Sequence, residues 1–237
     1  MELLIIISVF FLSGHAATNC ATDPANMWLD VVIVVDNSKN MTNDNLALIR
    51  ASIITLFSFD TRLGTGHSDP RNTRVTLVTC NQEAVIVADM NKVQSFGDLV
   101  AMVDSNLASV VATDKSYMVR GFQAANQVLA VGRPQGFRAN YQQLVIVYTN
   151  NYQSITSGDP INIAGVLKNK NIKIAIVDVD TQVSTYLELV SSPGMYFTFN
   201  QQTTNRVLDS MLAVNCFCPA SQPTNCALPC DTSNYCP

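Results

Sequence analysis

Asp36, Ser38 and Asn40 stand at alternate positions just after an unbroken apolar run, Val31 to Val35. Alternate residues of an extended segment point to one side, so these three side chains can turn their oxygens toward a common point. Clustered carboxylate, hydroxyl and amide oxygens are the ligands that hard divalent cations take. Rival chemistry has less support. Of two histidines, His15 lies near the amino terminus and His67 stands alone in a glycine-rich stretch. No Gly-x-Ser-x-Gly elbow, dinucleotide turn or phosphate loop is present. Asp178 and Asp180 close an apolar run, where capping of a strand end outweighs acid–base catalysis. The chain is therefore expected not to be an enzyme.

The elements that must hold these residues alternate. Leu29–Asp36 reads as a buried strand, and residues 43–59 carry apolar side chains at helical spacing after a Thr42 or Asn43 cap. Residues 74–80 and 84–88 are β-rich and one hairpin apart. Helical spacing returns at 96–107 and 118–129. The segments 144–148, 172–177 and 195–199 read as strands, with helices around 163–167, 186–190 and 207–214. Solid apolar strands separated by helices predict an α/β fold. It would be a doubly wound, mainly parallel six-stranded sheet with one antiparallel edge strand and helices on both faces. Ligand sites in such sheets lie beyond the carboxyl ends of the strands, where Asp36 falls.

Composition narrows the setting. Residues 1–17 read as a secretory signal peptide, because the apolar run 3–12 is too short to span a bilayer and small residues follow it. With no later apolar span, the expected protein is secreted and extracellular, without membrane insertion. The formal charge of -4 and the lack of a Lys/Arg cluster argue against nucleic acid. Five of the seven cysteines fall in the tail 215–237, and a disulfide framework outweighs a zinc site because no pair has C-x-x-C spacing. Cys80 lies among apolar residues and reads as a buried thiol. Cys20 and Cys216 flank the domain, whose termini are expected to be neighbours, so they are the first choice for a pair, with Cys218 next. Closing that loop stabilises the chain by about 5 kcal/mol in the entropic picture. Cys218, Cys226, Cys230 and Cys236 allow three pairings, or a link to a partner chain. Asn40-Met41-Thr42 is the sole Asn-x-Ser/Thr triplet, an expected glycosylation site.

The loop after the first strand resembles the Asp-x-Ser-x-Ser metal loop of von Willebrand factor type A domains, with Asn40 in its last place. Residues 73–79 are similar to the family's second strand. Residues 144–150 resemble its central strand, which in the family ends Thr-Asp-Gly and here ends Thr149-Asn150. Residues 168–177 resemble the entry to its next strand. The resemblance covers about residues 27–214. The flanking cysteines and the Cys-x-Cys exit resemble secreted nematode proteins that join this domain to a C-type lectin domain, but no lectin-like stretch follows before Pro237.

The resemblance implies a divalent cation, Mg²⁺ or Mn²⁺, held by Asp36, Ser38 and the residue at position 40 from the first loop. Ser116 would come from the second loop, with Thr113 the weaker candidate. Asn150 occupies the third-loop place of an aspartate. Replacing one of two carboxylates removes an attraction on the order of 1–4 kcal/mol at surface-like dielectric. Two readings follow: a weakened cation site, or a degenerate one in which Asp36 and Ser38 merely pin the loop, and the second weighs more. A glycan on Asn40 is expected to compete with coordination. The implied function is a secreted binding or adhesion module. It would take a protein or glycan at a face formed by residues 36–42, 113–117 and 150–157, with Tyr152 on its border. The alternative is an accessory extracellular protein linked through tail disulfides.

Overall fold

The computed structural model describes residues 23–58, 60–66, 72–131, 141–152, 158–180 and 184–215. Their core is one six-stranded sheet. The strands are β1 (Leu29–Asp36), β2 (Arg74–Cys80), β3 (Ala84–Ile86), β4 (Gln142–Thr149), β5 (Lys173–Asp178) and β6 (Tyr196–Thr198). Their order across the sheet is β3-β2-β1-β4-β5-β6. Every neighbouring pair is parallel except β2 with β3. The expected architecture is thus present, with β3 as the antiparallel edge.

Strand period divides the apolar residues between two cores. Val31, Ile33, Val35, Leu77, Ile146 and Val177 face one side. Helices α1 (Asn43–Leu56), α2 (Phe96–Asn106) and α6 (Thr203–Asn215) contribute Ile49, Val103 and Met211 to that side. Val32, Val34, Val78, Val147 and Ile176 face the other, against Phe122 of α3 (Met118–Val131), Leu167 of α4 (Pro160–Asn169) and Leu187 of α5 (Thr185–Val190). β1 and β4 are buried along their whole length, as an apolar run between two helical layers must be. Boundaries differ from expectation by a few residues. α1 stops at Leu56, with Phe57 as its C-cap and Asp60 in a left-handed conformation. β3 ends at Ile86, although the Val87 amide still donates to the Leu77 carbonyl.

A buried ion pair joins β1 to β2. The Arg74 guanidinium holds the Asp30 carboxylate through Nε at 2.9 Å and Nη2 at 2.6 Å, and both side chains are 1% exposed. Asp30 and Arg74 are register partners on β1 and β2. A third bond runs from Arg74 Nη1 to Asn91 Oδ1.

Trp28 packs rather than projects: it is buried, with its ring edge-on to Tyr141 at 5.7 Å. Beside it, the Asn215 side chain accepts from the Trp28 amide at 2.7 Å and donates to the Asn26 carbonyl at 3.3 Å. The last residue of α6 therefore clasps the entry to β1. Cys20 and Cys216, the expected disulfide partners, lie outside the described residues, as does the tail beyond Asn215.

α3 approaches the sheet closely at Gly121. A Cβ there would lie 2.7 Å from Val34 Cγ1 and 3.3 Å from Cys80 Sγ. Gly121→Ala is expected to destabilise the domain by about 1–3 kcal/mol through overpacking, because Val34 is fixed in a buried strand. The midpoint of urea unfolding measures this, and an unchanged midpoint would mean that α3 shifts freely.

Candidate functional site

The strand order reverses between β2 and β4 about β1, so the crevice at the carboxyl ends of β1 and β4 is the expected ligand position. Asp36 ends β1 and Thr149 ends β4. Asp36 is buried. Its Oδ1 accepts the Ser38 amide at 2.8 Å, and the Ser116 hydroxyl bonds the same carboxylate. The Thr149 hydroxyl stands 3.5 Å from Oδ2, a long contact, and donates to the Asn151 carbonyl at 3.1 Å. The Ser38 hydroxyl is buried beside the carboxylate but completes no hydrogen bond of good geometry. The structure thus brings Asp36, Ser38 and Ser116 together.

Backbone bonds explain how the second loop arrives there. The Lys39 amide donates to the Thr113 carbonyl at 2.7 Å, and the Val111 amide to the Asn37 carbonyl at 2.9 Å. The Val110 amide donates to Asn43 Oδ1 at 2.9 Å. Tyr117, just before α3, donates its amide to the Asn81 carbonyl, while Asn81 Nδ2 bonds Asn37 Oδ1. Loop residues 110–117 are therefore laced to the first loop and to the β2–β3 turn, and Ser116 is delivered by this lacing.

Two asparagines complete the rim. Asn150 Nδ2 donates to the Asn40 carbonyl at 2.8 Å, leaving Asn150 Oδ1 buried with no partner among the described residues. Asn40 is exposed, and its own Nδ2 donates to the Asp114 carbonyl at 3.1 Å. The Asn40 amide is thus turned to the second loop and not to Asp36. Tyr152 is committed elsewhere: its hydroxyl donates to Asp159, and its ring stacks on Tyr186 at 5.2 Å. It borders the face without a hydrogen bond to the Asp36 cluster among the described residues.

Electrostatics are set by burial. Desolvation raises the Asp36 carboxyl above its ordinary value, against the opposing hydrogen bonds from Ser116, Ser38 and Thr149. Cys80, its register partner on β2, is a buried free thiol pushed up to about 12, first by burial and then by the Asp36 charge. Asp178 caps its strand as expected: Oδ1 accepts the Asp180 amide and Oδ2 the Tyr196 hydroxyl at 2.7 Å. His67 lies outside the described residues.

The donor set can be tested against a divalent cation. Among the described residues, no group of three or more His, Cys, Asp or Glu gathers. What does gather is one carboxylate and two serine hydroxyls, with the Asn150 amide on the loop that follows Thr149. Among the described residues, two buried atoms, Ser38 Oγ and Asn150 Oδ1, complete no hydrogen bond of good geometry. Buried polar oxygens without donors cost free energy, and a cation with its waters would satisfy both. The set fits an oxygen-ligated cation of modest affinity. Sequence reasoning passed over Thr149, Asn37 and Asn81 as parts of this site. Thr149 precedes the Asn150 position, which was a readable signal; the asparagine lacing had none.

The family model described as the von Willebrand factor type A domain matches residues 30–212. A Caenorhabditis elegans protein, C-type lectin domain-containing protein 160, is 23% identical over 214 residues, covering 85% of this chain and 32% of the relative. The chain therefore spans about a third of that relative's length. Among solved structures, proximal thread matrix protein 1 from the mussel byssus, described with a zinc-occupied MIDAS motif, superposes with a TM-score of 0.66. It is 16% identical and covers 79% of this chain and 46% of that one. The conserved hypothetical protein BatB from Bacteroides thetaiotaomicron superposes with a TM-score of 0.59 at 14% identity, covering 78% and 97%.

Proposed function

Because this chain belongs to the von Willebrand factor type A family, whose domains generally mediate protein–protein binding or adhesion, we propose that it is a secreted binding module. Its ligand face lies at the carboxyl ends of β1 and β4. The ligand is an extracellular protein or glycan. Asp36, Ser38, Ser116 and the Asn150 amide oxygen hold a divalent cation, Mg²⁺ or Mn²⁺, at that face. One observation carries this reading: on the loops that follow β1 and β4, Ser38 Oγ and Asn150 Oδ1 are buried and complete no hydrogen bond of good geometry among the described residues. A bound cation supplies a positive charge with coordination positions open to a ligand oxygen. The chain's own residues keep the face ready: Ser116 and the Ser38 amide orient the carboxylate, and the lacing of residues 110–117 fixes their spacing.

Secretion rests on the apolar segment before Ala17 and on the cysteine-rich tail. No described helix is long and apolar enough to cross a membrane. A second reading, an accessory protein with a degenerate site and a disulfide-linked partner, is favoured by the Asn150–Asn40 bond, which ties the loops without a metal.

Calorimetric titration with Mg²⁺ and Mn²⁺ at neutral pH tests the choice. Heat in the wild type that is lost in Asp36→Asn supports the cation site; no heat in either protein overturns it. Asp36→Asn also carries a pH signature. A carboxyl raised by folding favours its protonated form, so its ionised form costs stability above the folded value. That cost is absent below the unfolded value, near 3.8. Metal-free Asp36→Asn is therefore expected to be more stable than wild type at neutral pH, by a margin that closes as pH falls toward 4. Melting curves across that range measure it.

A further inference from the structure

We propose that Asn40 carries an N-linked glycan that leaves the Asp36 oxygen cluster open. The Asn40-Met41-Thr42 triplet is exposed at Asn40, on the rim between the first and second loops. Direction decides the matter. The Asn40 amide nitrogen has two hydrogens, and the Asp114 carbonyl, 3.1 Å away, takes one of them. In the transfer, the other hydrogen leaves as a proton and Nδ2 bonds the anomeric carbon of a lipid-pyrophosphate-linked oligosaccharide. The pyrophosphate carrier departs with the electrons of the broken C–O bond. The product keeps one N–H for Asp114.

Among the described residues, Asn40 serves the cluster through its backbone carbonyl alone, which accepts from Asn150 at 2.8 Å and is untouched by the new bond. The expectation that a glycan excludes a cation is thereby replaced by compatibility, a step that rests on the cation reading above. The sugar would rise beside the cluster and not within it. It would screen the Lys39 and Asp114 side of the face, so that a large ligand approaches from the Asn150 side.

Thr42 allows a clean set of variants. Its hydroxyl accepts the Asn45 amide at 3.3 Å and caps α1, a duty serine can keep along with the triplet. The full chain, passed through a eukaryotic secretory route, is weighed intact. An oligosaccharide mass on the wild type and on Thr42→Ser, absent from Asn40→Gln and Thr42→Ala, is expected. A bare mass on the wild type overturns the proposal. Glycosylated protein and protein trimmed to one sugar are then titrated with Mn²⁺. Affinities within about twofold support an open cluster, and a tenfold gain on trimming overturns it. If neither form takes Mn²⁺, the open-cluster half falls with the cation reading, and the glycan half stands on the masses alone.

Discussion

Asp30→Ala is expected to lower the stability of the domain by about 3–5 kcal/mol, because it strands a buried guanidinium. In a domain of this size that corresponds to a fall of about 10 °C in melting temperature. The cause is local. Arg74 is 1% exposed and has two of its bonds to Asp30, so among the described residues the loss leaves it the Asn91 side chain alone. The complementary result separates pairing from mere burial. Replacing both residues by apolar ones, Asp30→Leu with Arg74→Met, is expected to recover most of the loss, since the desolvation of two charges then disappears. Urea unfolding of the two single variants and the double variant measures the coupling between them. A double variant as unstable as the sum of the singles would mean that the pair contributes nothing as a pair.

Asn150→Asp is expected to strengthen Mg²⁺ or Mn²⁺ binding by roughly tenfold to a thousandfold, the equivalent of about 1–4 kcal/mol from a second carboxylate. Asn150 Nδ2 now donates to the Asn40 carbonyl, and a carboxylate there would face that carbonyl with no hydrogen to offer. The metal-free variant should therefore be less stable than wild type, and added cation should reverse the deficit. Titration calorimetry and melting with and without Mn²⁺ measure both. Unchanged affinity would show that the residue at position 150 does not reach the cation.

Much of this was legible before any coordinates. Apolar runs at 29–36 and 144–148 mark strands buried on both faces, since only such strands can dispense with alternation. Asp36 and Ser38 follow from spacing, and Ser116 from the family resemblance. The Asp30–Arg74 pair was not legible, because two residues 44 apart meet only through the parallel register of β1 and β2. Side-chain direction was equally hidden at Asn40. Its identity suggested a competitor for the metal, and only the bond to the Asp114 carbonyl shows the amide turned aside. Tyr152 stands at the border of the face as its position implies, but the hold of Asp159 and Tyr186 on it is not legible in the sequence.

The Asn215 clasp has a mechanical consequence. Trp28 and Asn26 are held by Asn215 at the amino end of β1, whereas Asp36 stands at its carboxyl end, about 26 Å away for eight extended residues. A tether pulling on the two ends of the domain would load the clasp first. Its bonds are few and would be strained one after another, like a zip, while the strands between the ends stay out of the line of tension. The ligand face sits at the unloaded pole. Such a domain can be anchored and tugged at one end while its grip at the other keeps its shape.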